Sequence, residues 1–246
     1  MLIEDYVVID LEMTGLQVKT DRILEVGAVR VRNGRVTDTF GKIINPGIPL
    51  TEKITELTGI TQEEAEQGAD LDETVAEFLE FCGEDVLVGQ NLIFDYGFLK
   101  QWAVNHKKTL EKKAVDTLKL ARHFLPEGQK KNLEALCEYF HIDREHAHRA
   151  LDDALATGEI FEKLKMEYGA CAPECFVPKN LEFKVKKQTP ATERQKKYLR
   201  QFAQFYGIEL TEPLDSMTRS EVSRLTDKLI AQYGPAYREW AASSKK

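Results

Sequence analysis

Two carboxylates stand two residues apart in Asp10-Leu11-Glu12-Met13-Thr14-Gly15, directly after the apolar run Tyr6-Val7-Val8-Ile9. Such a run, closed by a Thr-Gly turn, reads as a buried β-strand. Side chains alternate along a strand, so Asp10 and Glu12 share one face while Ile9 and Leu11 share the other. Like charges about 4 Å apart repel by on the order of 4 kcal/mol at an effective dielectric near 20. The pair therefore calls for a divalent cation or for one carboxylate kept protonated, unless it is simply a solvated strand end. Two further polar sites follow. Asn91 and Asp95 come after the short run Val86-Leu87-Val88-Gly89-Gln90, and Asp95 opens a helix through Phe98, Leu99 and Trp102, where the helix dipole also favours a carboxylate. His148 precedes Asp152 and Asp153. Helical geometry alone would pair His148 with Asp152, four residues on, because Asp153 is turned about 140° away at about 100° per residue.

The elements that must position these residues are punctuated along the chain. Strands are predicted over 22–31 and 35–44 around an Asn33-Gly34 turn, which with the first strand makes an antiparallel meander ended by Asn45-Pro46-Gly47. Thr61-Gln62-Glu63-Glu64 fits a capping box, and a helix through Val75, Phe78, Leu79 and Cys82 stops at Gly83. A strand over 86–91, a strand-to-helix turn at Ala114-Val115-Asp116-Thr117 and a short amphipathic helix over 132–140 follow. The last helix of this region carries Leu155, Ile160, Phe161 and Leu164 and is terminated by Gly169. Strands first, then strand and helix alternating, specify an α/β fold with a mixed sheet and flanking helices.

The expected domain plan is an α/β domain at 1–170, a basic linker at 171–190, a small helical module at 191–237 and a tail at 238–246. The linker is Pro-bearing and contains Lys179, Lys184, Lys186 and Lys187. Beyond it, capping boxes at Thr192-x-x-Gln195 and Thr218-x-x-Glu221 open two helices, stopped by Gly207 and by Gly234-Pro235. Arg194, Lys196, Lys197 and Arg200 offer either a phosphate-contacting face or a solvated one, while Tyr198, Phe202, Phe205 and Tyr206 have the spacing of a helix core.

Composition narrows the class. With 42% apolar and 30% charged residues in 246, wholesale disorder and fibrous architectures are excluded. A net charge of −7 argues against a generally basic nucleic-acid coat, so a polyanion must be held by local patches or metal ions. No apolar run reaches membrane-spanning length and no signal segment opens the chain, so a cytoplasmic protein without a membrane partner is expected. Cys82 and Cys137 lie on apolar helix faces, and Cys171 with Cys175 lacks the second close pair of a zinc site.

The motifs Asp10-Leu-Glu12-x-Thr14-Gly15, Gly89-Gln-Asn91-x-x-Phe94-Asp95 and His148-x-Ala150-x-x-Asp153 resemble the DEDD superfamily of 3′-to-5′ exonucleases, in its histidine-bearing branch. Arg22-Ile-Leu-Glu25-Val-Gly27, Val115-Asp116-Thr117-Leu118 and Leu133-Glu-Ala-Leu136-Cys137 look like the proofreading subunit of the bacterial replicative polymerase and its stand-alone relatives. The resemblance implies an RNase H-like core in which Asp10, Glu12, Asp95 and Asp153 hold two divalent ions, Mg²⁺ or Mn²⁺, with His148 as general base. It also implies that Met13, Thr14, Gly15, Leu16, Asn91 and Phe94 meet the terminal nucleotide. The resemblance implies Asp153 as the ligand and so requires His148 to lie in the loop before the helix, with His146 as the rival histidine. The implied substrate is a single-stranded DNA 3′ end cleaved to 5′-mononucleotides. Gln90 replaces a histidine common in relatives, and Met13 with Leu16 is similar to oligoribonucleases, which makes an RNA 3′ end the alternative. A non-catalytic nucleic-acid-binding scaffold is the reading from another class, and it expects lost ligands where none is lost. Proofreading would need a DNA polymerase subunit as partner, since no polymerase signature occurs in the chain.

Overall fold

A computed structural model describes residues 2–144, 146–210, 213–234, 236 and 237; the tail at 238–246 lies outside the described residues. Three antiparallel strands, β1 (Tyr6–Met13), β2 (Ile23–Arg32) and β3 (Arg35–Ile43), form the expected meander. Asn33 and Gly34 turn it with φ of 50° and 70°, the left-handed pair of a two-residue hairpin whose twist matches the strands. On its other side β1 pairs in parallel with β4 (Leu87–Gly89), β4 in parallel with β5 (Lys113–Asp116), and β5 antiparallel with β6 (Lys179–Asn180). The order β3-β2-β1-β4-β5-β6 puts β1 inside the sheet and brings the carboxyl ends of β1, β4 and β5 to one edge.

Helices cover both faces. Val7, Ile9 and Leu11 pack with α3 (Leu71–Cys82) and α4 (Ile93–Asn105), while Tyr6 and Val8 pack with α5 (Thr117–Phe124), α6 (Leu133–Phe140) and α7 (Ala150–Tyr168). The alternation along β1 thus sorts its apolar side chains into two cores and leaves Asp10 and Glu12 on the α7 side. Two short helices, α1 (Glu52–Thr58) and α2 (Gln62–Glu66), follow the meander, and the capping box at Thr61 and Glu64 is present. Sequence reading did not assign α1; Thr51 caps its first turn and Gly59 ends it in the left-handed conformation.

The stretch 171–190 is not linker throughout. A 3₁₀ turn at Pro173–Phe176 buries Phe176 to 1% exposure, and β6 then joins the sheet. Phe124 stacks on Tyr168 at 4.4 Å and on Phe176 at 5.8 Å between ring centres. Leu181 and Phe183 pack on the α3–α4 core. The prolines and lysines that suggest a linker occupy turns and exposed positions, while its few apolar residues close the core. The chain divides into two compact units, residues 1–185 and 186–246.

The second unit contains α8 (Glu193–Tyr206) and α9 (Arg219–Tyr233), both opened by the expected capping boxes. Leu199, Phe202, Val222 and Leu229 form its core with Tyr237, so Phe202 is core and Tyr198 and Tyr206 pack against it. Two of the four basic residues of that face are answered by acids: Lys196 pairs with Glu193 at 3.2 Å and Asp215 at 3.1 Å, and Arg200 with Asp215 at 3.3 Å. Cys82 and Cys137 are buried, and no helix among the described residues is long and apolar enough to cross a membrane.

Candidate active site

The four acids reach one place from three elements. Asp10 and Glu12 come from the last residues of β1. Asp95, in the first turn of α4, accepts a hydrogen bond of 2.9 Å from the main-chain N–H of Leu11, the residue between them. Asp153 lies in the first turn of α7, 5% exposed. His148 occupies the turn before α7 with φ of 61°, and its main chain hydrogen-bonds the Asp153 carboxylate. Donor atoms of Glu12, His148 and Asp153 lie within 4.8 Å of one another. Asp152, the partner helical geometry alone would give His148, instead meets His146 at 3.2 Å, with the His146 side chain 69% exposed.

The electrostatics are those of a pocket holding more negative charge than it can solvate. Burial, then the Asp95, Asp153, Glu12 and Glu25 carboxylates, push the Asp10 carboxyl well above its ordinary range. Burial followed by Asp153, Glu25 and Asp95 raises Glu12 to about 8. Burial also raises Asp95, against hydrogen bonds from its own and the Leu11 main chain, and Asp153, against Arg144 and His148. Arg144 is a counter-cation that sequence reading missed: it meets Asp153 at 3.1 Å, with the two side chains 10% and 7% exposed. Four hard carboxylate oxygens beside an imidazole fit a divalent cation of the Mg²⁺ or Mn²⁺ type. Among the described residues, the Glu12, His148 and Asp153 group is the cluster with metal-ligating geometry.

The residues expected to meet substrate adjoin the acids along the chain, after Glu12 and before Asp95. The Thr14 turn is anchored on Arg22, with the Thr14 N–H donating to the Arg22 carbonyl and the Arg22 N–H to the Thr14 hydroxyl, each at 2.9 Å. Met13 and Gly15 are half-buried, whereas Leu16 is 64% exposed. Asn91, with φ of 60°, donates its N–H to the Asp116 carboxylate at 3.2 Å, and Phe94 is half-buried in the same first turn as Asp95. Phe98 belongs to the core. Gln90 is structural: its amide donates to the Lys131 carbonyl at 2.8 Å and accepts from the Thr117 hydroxyl. Glu25 and Asp116, both buried, add to the field of the site. The signal for them was a single carboxylate inside or closing an otherwise apolar strand.

A family model described as Exonuclease (RNase_T) matches residues 7–161. The chain belongs to this exonuclease family. Among relatives, the PolC-type DNA polymerase III of Clostridium perfringens is 41% identical over 168 residues, covering 67% of this chain and 12% of that protein. The Bacillus subtilis enzyme of the same name is 41% identical over 166 residues, covering 65% and 11%. The chain thus spans about one eighth of the length of these curated relatives. Its exonuclease fold is shared with Exonuclease X in complex with 5′ overhanging duplex DNA, at TM-score 0.56 and 23% identity, covering 67% of this chain and 93% of that one. Escherichia coli Exonuclease I with a dT13 oligonucleotide superimposes at TM-score 0.56 and 18% identity, covering 70% and 43%. A 3′-exonuclease bound to a histone mRNA stem-loop gives TM-score 0.57 and 19% identity, covering 70% and 84%. These neighbours and the six-stranded mixed sheet make the first unit an RNase H-like α/β fold.

Proposed function

We propose that the chain is a metal-dependent 3′-to-5′ exonuclease that releases 5′-mononucleotides from single-stranded DNA ends. The observation that carries the reading is the convergence of Asp10, Glu12, Asp95 and Asp153, whose carboxyls are all pushed upward, first by burial and, for Asp10 and Glu12, then by the other acids. When bound, two divalent ions supply charge neutralisation at the scissile phosphate and an acidified attacking water. Asp10, Glu12, Asp95 and Asp153 would hold those ions. His148 accepts the proton of the water as its oxygen forms the new bond to phosphorus, a task suited to an imidazole. The bond from phosphorus to the 3′ oxygen breaks, and that oxygen leaves with a proton from solvent. Met13, Thr14, Gly15, Leu16, Asn91 and Phe94 line the approach of the terminal nucleotide.

DNA is favoured as substrate because the relatives at 41% identity are DNA polymerases. The exposed Leu16 beside Met13 supports the RNA alternative, and rates on matched DNA and RNA oligomers separate the two. A proofreading role would require a polymerase as partner, which co-elution with a replicative polymerase tests. With Mg²⁺ or Mn²⁺ the purified protein should shorten an oligonucleotide with a free 3′ end, and Asp10→Asn should stop it without loss of fold. Full activity in Asp10→Asn rejects the assignment.

A further inference from the structure

We propose that Glu25 and Gly27 of β2 form a cradle that sets the position of His148, which makes Glu25 and Arg149 positioning residues for the general base. The proposal rests on the reading of His148 as that base. His148 holds a φ of 61°, a conformation that residues other than glycine adopt at a cost and keep only when their surroundings impose it. Its neighbours supply the restraint. Arg149 grips Glu25 through Nε, at 3.1 and 3.2 Å to the two carboxylate oxygens, and through Nη2 at 2.8 Å. The next residue, Ala150, donates its main-chain N–H to Glu25 at 2.9 Å. Glu25 therefore caps α7 from the sheet, where a carboxylate also complements the helix dipole.

Gly27 makes this approach possible. A Cβ there would lie 2.2 Å from the Ala150 carbonyl carbon and 2.4 Å from the Leu151 nitrogen, so the first turn of α7 rests on the β2 backbone. The pairing register explains why the cradle stands where it does. Asp10 is paired with Gly27 and Glu12 with Glu25, and directly paired residues present their side chains to the same face. The two-residue period that aligns the acids on β1 aligns the cradle on β2, and α7 is laid down with His148 beside Glu12. Both Glu25 oxygens are taken by Arg149 and Ala150, so this 4% exposed carboxylate is committed to α7 and not to a cation.

The test uses the full chain, with Mg²⁺ and a single-stranded DNA oligonucleotide. Glu25→Gln should lower kcat by roughly 10- to 100-fold, the usual scale for a group that orients a catalytic one. KM and the Mg²⁺ concentration for half-maximal rate should stay within about twofold. In the His148→Ala background Glu25→Gln should cost nothing further, since groups acting as a unit are non-additive. In the metal-free protein, the His148 ring signal, assigned by its absence in His148→Ala, should broaden or split in Glu25→Gln while those of the other histidines stay put. Arg149→Lys carries the same expectations at a side chain 39% exposed and serves if Glu25→Gln does not fold. Unchanged kcat in a folded Glu25→Gln or Arg149→Lys, or losses that multiply with His148→Ala, overturn the cradle alone. Full activity in His148→Ala overturns the general-base reading and the cradle with it.

Discussion

Replacing Glu12 by Gln should make the metal-free protein more stable at alkaline pH while destroying its response to metal. The donor oxygens of Glu12 and Asp153 lie within 4.8 Å of each other. At an effective dielectric near 20, two unit charges at that separation repel by about 3.5 kcal/mol. The upward shift of Glu12 from 4.5 to about 8, which includes burial as well as repulsion, corresponds to about 5 kcal/mol at roughly 1.4 kcal/mol per pH unit. The folded carboxyl binds its proton more tightly than the unfolded one. Its stabilisation is therefore complete below pH 4.5 and is lost as pH rises through about 8. A few kcal/mol in a unit of this size is on the order of 10 °C in Tm. Thermal melts in EDTA from about pH 5 to pH 9 should give nearly equal Tm values for wild type and Glu12→Gln at the acid end, and a mutant about 10 °C higher at the alkaline end. Excess Mg²⁺ at the alkaline end should raise the wild type and leave Glu12→Gln nearly unmoved. Parallel melting curves across the pH range, or a mutant less stable than wild type at the alkaline end, refute the claim that this pocket is overcharged without a cation.

Other perturbations read other parts of the molecule. Arg144→Met removes the cation that faces Asp153 and Glu12, so the metal-free protein should lose about 3 kcal/mol near pH 8, and added Mg²⁺ should recover much of it; a Tm unchanged by the substitution contradicts the pairing. Gly27→Ala should cost about 3 kcal/mol or more, because its methyl meets main-chain atoms that cannot turn aside, and a denaturant midpoint equal to wild type refutes that contact. Phe176→Ala should destabilise the first unit by about 3–5 kcal/mol; a shift under about 1 kcal/mol would return the segment to linker status.

The parts of the fold legible in the sequence are those where local chemistry and tertiary need coincide. Asn33-Gly34, the capping box at Thr61 and Glu64, and the apolar run of β1 each dictate their conformation within a few residues. The helix α1 was not legible because its apolar content is small: Thr51 and Gly59 punctuate it, yet it buries only Thr58 fully and leaves Leu57 45% exposed. The segment after Gly169 misled for the opposite reason. Its lysines and prolines dominate composition, while the three residues that matter, Phe176, Leu181 and Phe183, are too few and too unevenly spaced to set a helical or alternating period. On α8 the lysine and arginine pattern suggested a cationic face, but Asp215, fifteen or more residues away, closes on Lys196 and Arg200.

The same logic separates the site residues that could be read from those that could not. Asp10, Glu12, Asp95, His148 and Asp153 sit in motifs that carry a resemblance. Arg144 does not, and Glu25, though it falls in a stretch that carries the resemblance, has a role that arises only from pairing across the fold. Strand register does this work: one residue of slip between β1 and β2 would move Glu25 and Gly27 to the opposite face from Asp10 and Glu12. The first turn of α7 would then lose its cap and its resting place together, and His148 would lose the restraint that keeps it beside Glu12. The connection from β1 to β2, closed by the two Thr14–Arg22 hydrogen bonds, is thus tied to the chemistry beside it through the rigid geometry of paired strands.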